Sequence, residues 1–148
     1  MNPYEMIRAQ LEQIVPFANH TGVEVLEVGD GFGRTGLEQR PETSNHIQSQ
    51  HAGAMFTLGE AASGAALAGA LAPVMLEVRP VAAGAEIKYV KIAKGRLEAT
   101  ARTQRPGAEL LAELQDQGKV AFDVEVDVTD ADGDTVVTMR VGWHVRKG

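Results

Sequence analysis

Residues 45–71 read NHIQSQHAGAMFTLGEAASGAALAGAL, and this stretch decides the fold. From Ala52 onward the residues are mostly Ala, Gly and larger apolar types, and Pro73 punctuates the end. The pattern predicts a long helix from about residue 52 to about residue 71. Small residues lie all round it, so neighbours can approach it closely on every side. Such a helix belongs at the centre, wrapped by other elements. Between Ala52 and Leu76 the only charged residue is Glu60. A membrane span is the poorer reading, because Ala and Gly contribute little to insertion and a mid-span carboxylate costs about 2.5–3.5 kcal/mol.

The flanks of this helix read differently. Residues 4–15 have Ile7, Leu11, Ile14 and Val15 at helical spacing, with Glu5, Arg8 and Glu12 elsewhere, and Pro16 ends the run. Strands are predicted at residues 23–28 and 34–39, joined through Gly29, Asp30, Gly31 and Gly33. Residues 40–50 are a polar loop. After the long helix, strands are predicted at residues 74–81, 85–92 and 95–103, with a short helix at residues 108–115. From Val120 to Val128 apolar and polar residues alternate, which gives one buried and one wet face. Ala131-Asp132-Gly133-Asp134 is a hairpin turn. The returning strand puts Val137, Met139, Val141, Trp143 and Val145 on one face, with His144 on the other. The order predicts an α+β domain with a meander-like antiparallel sheet covering one helix.

Composition narrows the function. The 148 residues suit one domain over residues 1–148. There is no Cys, which excludes disulfides, thiolate metal sites and a cysteine nucleophile. Fourteen Lys+Arg against 20 Asp+Glu give a net charge of −6, which argues against a nucleic-acid partner. The N-terminal residues lack an apolar signal core, so a cytoplasmic protein without a membrane partner is expected. No metal-ligand spacing stands out, and no cofactor is expected.

Glu60 is the residue that stands out. A carboxylate on an apolar helix loses hydration unless something replaces it. Either a cation such as Arg34, Arg40 or Arg79 neutralises it, or it borders a cavity with its pKa raised. The polar run before the helix, with His51, Ala52 and Gly53 at its start, is a second candidate. A helix N-terminus carries unpaired N–H groups and partial positive charge, and small residues there leave the backbone open to an anion or oxyanion. Ordinary capping explains a polar run equally well. His51 and Glu60 are nine residues apart, about 13 Å along a helix and on roughly opposite faces. Two antiparallel copies would bring one chain's helix start to the other's Glu60, twice by symmetry.

The run NHIQSQHAGAMFTLGEAASG resembles the signature of hotdog-fold acyl-CoA thioesterases, the phenylacetyl-CoA and 4-hydroxybenzoyl-CoA thioesterase branch. In that family Asn or Gln precedes a His-Gly-Gly motif, and an acid follows the His by nine positions. Asn45, His51 and Glu60 stand at those places. Two residues depart from the pattern. Ala52 replaces the first Gly of the motif but keeps its N–H. Gly64, beside Ser63, stands where the family often has Ser or Thr.

The resemblance implies a hotdog fold, an antiparallel sheet wrapped round one helix. It also implies hydrolysis of an acyl-CoA substrate in a homodimer or a dimer of dimers. Glu60 would act as general base on water or as nucleophile, the Ala52 N–H would stabilise the oxyanion, Asn45 would orient water or carbonyl, and His51 would shape the loop. Gly53, Ser63, Gly64 and Met55 would line the substrate site, Met55 equally being core. Lys91, Lys94 and Arg96 would take the CoA phosphates, unless with Lys88 they form a solvated basic strand edge. A non-catalytic acyl-CoA binding protein is one alternative. A dehydratase or hydratase pairing His51 with Glu60 is another, but the prolines of carrier-protein dehydratases are missing after His51.

Overall fold

The structure, a computed structural model, describes residues 2–148. Helix α1 spans Pro3–Ile14, capped by Asn2, whose Oδ1 accepts the N–H of Glu5 at 2.8 Å. Pro16 does more than end α1. It opens a second helix, α2 (Pro16–Thr21), because a first-turn residue has no helical acceptor for its N–H and loses nothing by being proline. Gly22, at φ +94°, closes α2 by donating its N–H to Ala18 and Asn19.

The strands are β1 (Glu24–Gly29), β2 (Phe32–Leu37), β3 (Val78–Tyr89), β4 (Leu97–Thr103), β5 (Lys119–Thr129) and β6 (Thr135–Lys147). The long helix is α3 (Ala52–Ala70), and α4 (Gly107–Gln117) lies between β4 and β5. All strand pairs are antiparallel, in the order β1-β2-β4-β5-β6-β3.

Two expectations are corrected. The separate strands at residues 74–81 and 85–92 are one twelve-residue strand, β3, preceded by a 3-10 turn at Ala72–Glu77. The register of β3 on β6 shifts between Ala82 and Gly84, and this bulge broke the period that would have joined the halves. The sheet is also no plain meander. β3 leaves the end of α3 and pairs with β6, so it forms the far edge of the sheet.

The core lies between the sheet and α3. Val120, Phe122, Val124, Val126 and Val128 are buried along β5, and Val137, Met139, Val141, Trp143 and Val145 along β6, as the alternation predicts. Small residues let the layers close. A Cβ on Gly33 of β2 would sit 2.5 Å from the Ala62 carbonyl of α3, so only glycine fits there. The hydroxyl of Thr35 donates to the Leu58 carbonyl at 2.9 Å. From Ala65 to Ala70 α3 is wholly buried, but further forward one stripe stays open. Gly53, Phe56, Thr57, Glu60, Ala61 and Gly64 are exposed or half-buried and follow one another at helical spacing.

Candidate active site

The loop before α3 is fixed by its own side chains. Asn45 Oδ1 accepts the N–H groups of Ile47 and Ser49, both at 3.0 Å, and its Nδ2 donates to Ser49 Oγ at 2.8 Å. Ser44 bridges to Gln50, the Gln50 N–H donates to Ala93 at 2.8 Å, and Gln50 Nε2 donates to Gly95 at 3.0 Å. Asn45 is therefore engaged in shaping this loop. His51 is the N-cap of α3, and its Nδ1 accepts the Gly53 N–H at 2.8 Å. Ala52 opens the helix, so no carbonyl of the helix can accept its N–H. Ala52 and Gly53 are both exposed.

Glu60 lies two turns along α3, on the open stripe. It lines a cavity of about 400 Å³ whose other walls are mostly apolar, including Leu11, Val25, Leu67, Met75 and Trp143. Desolvation raises its pKa above the usual carboxylate value, with no charge or hydrogen bond opposing that rise. The three candidate arginines lie elsewhere. Arg34 pairs with Glu27 and Glu98 at 3.3 and 3.0 Å, Arg40 donates to the Thr21 carbonyl at 2.6 Å, and Arg79 is exposed on β3. Glu60 is thus a half-buried carboxyl beside an apolar space, with no cation paired to it among the described residues.

The other candidates scatter. Gly64 lines the same cavity as Glu60. Ser63 is fully buried; its hydroxyl donates to the Glu60 carbonyl at 2.7 Å and accepts from Trp143 Nε1 at 3.1 Å. Met55 is in the main core. Lys91 lies against the β5–β6 turn, 2.8 Å from Asp134 and 3.5 Å from Asp130, whose carboxylates converge there with that of Asp132. Arg96 is held by Glu24 and Glu38 at 2.9 and 2.8 Å, which raise its pKa. Lys94 is exposed. Within one chain the structure brings Glu60 and Gly64 together at the cavity and His51, Ala52 and Gly53 together at the helix start. About 12 Å of helix separates Ala52 from Glu60.

One group at this site was not legible in the sequence. Tyr89, at the end of β3, donates its hydroxyl to the Ala52 carbonyl at 3.2 Å and ties the edge strand to the opening turn of α3. Its position depends on the bulged register of β3, which no local pattern encodes.

The sequence matches the model of a family described as a domain of unknown function, DUF4442, over residues 4–145. The chain belongs to the DUF4442 family. This DUF4442 chain has the hotdog fold, and its structural neighbours include proteins named as thioesterases. One is a Pseudomonas aeruginosa protein of unknown function, named a probable thioesterase. It is 25% identical, with 99% of this chain and 97% of that one covered and a TM-score of 0.83. The Escherichia coli PaaI protein, from the phenylacetic acid degradation operon, is 20% identical over 99% and 94%, with a TM-score of 0.74. A mutant of a Staphylococcus aureus thioesterase is 16% identical over 89% and 99%, with a TM-score of 0.72. No curated protein matches the DUF4442 chain. Among the described residues no helix is long and apolar enough to cross a membrane.

Proposed function

We propose that this protein hydrolyses an acyl-CoA thioester at a site shared by two copies of the chain. The observation that carries this reading is Glu60, an uncompensated carboxyl on the wall of an apolar cavity. Burial makes it a stronger base than a solvated carboxylate, fit to take a proton from water or to attack the thioester carbon itself. The thioester carbonyl oxygen gains negative charge as the tetrahedral intermediate forms. The free N–H of Ala52, at the positive end of α3, is suited to stabilise it, and losing one such donor costs about 2.7–4 kcal/mol in rate terms.

One chain holds these two groups too far apart, and the edge of the sheet supports a second copy. Among the described residues the outer edge of β3 has no strand beside it, and Val81 and Tyr89 are exposed along it, with Val90 and Ile92 just beyond. A long apolar edge invites pairing with another chain. A twofold partner on this side would bring its own helix start toward Glu60. Lys94 remains a candidate for the CoA phosphates, whereas Lys91 and Arg96 already hold carboxylates. The Staphylococcus aureus neighbour has been altered at a glutamine and at a glutamate fifteen positions apart, which is also the separation of Asn45 from Glu60.

A second reading, binding of an acyl-CoA without turnover, draws support from the α3 turn after Glu60. Gly64 offers no hydroxyl there, and that of Ser63 is turned to Trp143. Hydrolysis of a panel of acyl-CoA thioesters by the wild type and by Glu60→Gln separates the two. Turnover that disappears in the folded variant supports the hydrolase. Equal turnover in both removes Glu60 from the chemistry.

A further inference from the structure

We infer that the cavity beside Glu60 takes an uncharged, purely apolar acyl chain of roughly ten to sixteen carbons, an inference that rests on the thioesterase reading for the fate of that chain. The walls decide the chemistry. Among the described residues no Lys, Arg or His lines the cavity. Apart from Glu60, its polar side chains among the described residues are Asn19 and Trp143, and a donor on each is already engaged. Asn19 Nδ2 donates to the Gln13 carbonyl at 3.3 Å, and Trp143 Nε1 donates to Ser63. A distal carboxylate on the acyl group would meet no cation and would face the carboxyl of Glu60. A phenolic hydroxyl would exchange its water for, at best, the amide of Asn19 or the Glu60 carboxyl that the reaction needs, which disfavours it by up to about a hundredfold.

The volume sets the length. A dry cavity of about 150 Å³ accepts the six carbons of benzene. The same filling of 400 Å³ gives an upper limit of roughly sixteen carbons, reduced by whatever part of the space serves as the mouth. An acetyl or butyryl group would leave most of this apolar wall uncovered. Each added methylene that reaches the wall is worth about fourfold in binding. The rim over α3 comes from Leu11 and Ile14 of α1, Val15, and Ala18 of α2, of which Ile14 and Val15 are exposed.

The test has two arms. In the first, kcat/KM is measured for acetyl-, butyryl-, decanoyl-, succinyl- and 4-hydroxybenzoyl-CoA with the wild type, Glu60→Gln and Gly64→Leu. Gly64 suits the filling variant because a Cβ there meets only the edge of Trp143, at 3.8 Å. The second arm measures binding of the non-hydrolysable thioethers S-ethyl-CoA and S-decyl-CoA to the wild type. Decanoyl-CoA is expected to exceed butyryl-, succinyl- and 4-hydroxybenzoyl-CoA by at least a hundredfold, and Gly64→Leu to cut the decanoyl-to-butyryl ratio at least tenfold. S-decyl-CoA is expected to bind at least a hundredfold more tightly than S-ethyl-CoA. Glu60-dependent turnover that is best with acetyl, succinyl or hydroxybenzoyl groups overturns the inference and leaves the hydrolase standing. No turnover, with S-decyl-CoA still preferred, overturns the hydrolase and leaves the inference standing. Equal binding of the two thioethers overturns the inference whatever the turnover.

Discussion

The Gly53 N–H points at His51 Nδ1, 2.8 Å away, so the cap has taken one of the two exposed amides that open α3. The amide left for a ligand is that of Ala52. This bond gives His51 a structural role. Its ring holds the first turn in place, and Nδ1 is unavailable as a base. His51→Ala should lose a helix cap, a change worth about 1 kcal/mol. His51→Asn, which also caps well, should recover most of that loss. Urea denaturation of the three proteins at neutral pH checks this. A His51→Asn protein no more stable than His51→Ala would show that the ring acts otherwise.

Glu60→Gln should raise stability at neutral pH while removing turnover. Burial raises the pKa of Glu60 in the folded chain, so the folded state holds this proton to higher pH than the unfolded state does. Below pH 4.5, the ordinary glutamate value, both states are protonated, and wild type and variant should melt together. As pH rises past that value the unfolded chain releases its proton first, so the wild type loses stability until the folded pKa has been passed. Melting curves at pH 4 and pH 8 should therefore coincide at the first and favour Glu60→Gln at the second. The acid limb of kcat/KM should have its midpoint above pH 4.5 for the same reason. A variant that melts lower than wild type at pH 8 would mean that a cation holds the carboxylate.

Ser63→Ala should be destabilising although it removes a single oxygen. Ser63 is fully buried, and Trp143 Nε1 has its hydroxyl as hydrogen-bond acceptor. Removing the hydroxyl strands a buried donor, at a cost of about 1–3 kcal/mol. Denaturant titration followed by the fluorescence of Trp143, the only tryptophan in the chain, reads both the loss and the change round the indole.

These three side chains show how far the sequence could be read. Glu60 was legible because a lone acid in an apolar run is a local anomaly. The α3 helix and the β5–β6 hairpin were legible because their periods are unbroken over many residues. β3 was not, because its residues are exposed on both faces and the Ala82–Gly84 bulge interrupts them. The partners of Arg96 and Lys91 were not legible either. Glu24 lies 72 residues from Arg96 and Asp134 lies 43 from Lys91, and only the folded sheet joins them. The same limit hid Trp143 as the partner of Ser63, 80 residues away.

Gly33→Val should prevent stable folding. A Cβ at Gly33 would press on the Ala62 carbonyl at 2.5 Å and on Ala65 Cβ and Ala66 N, both at 2.7 Å. These are backbone atoms and a methyl group of a buried helix, so no flexible side chain can yield. Overpacking of this kind costs typically 1–3 kcal/mol, and more where β2 must leave α3. Circular dichroism and thermal melting of Gly33→Val beside Gly118→Ala are informative. A Cβ at Gly118 has open space, and its substitution is strained only by a φ of +75°. The valine variant should lose much the larger share of stability.

Gly64→Ser should raise both stability and turnover. Gly64 is inside α3, where glycine is less favourable than serine by about 0.5 kcal/mol. A Cβ there makes only ordinary contact with Trp143 Cζ2, at 3.8 Å, so nothing opposes the gain. Gly64 lies one helical turn past Glu60 on the cavity wall, so a hydroxyl at this position can hold a water near the carboxylate. A hydrogen bond to a charged group contributes about 1.5–3 kcal/mol, and if it forms only as the water attacks, kcat rises about tenfold or more. Steady-state kinetics with decanoyl-CoA read the change. A rise in kcat at unchanged KM would mean that the serine acts on the attacking water. A rise in KM alone would mean that it crowds the acyl chain.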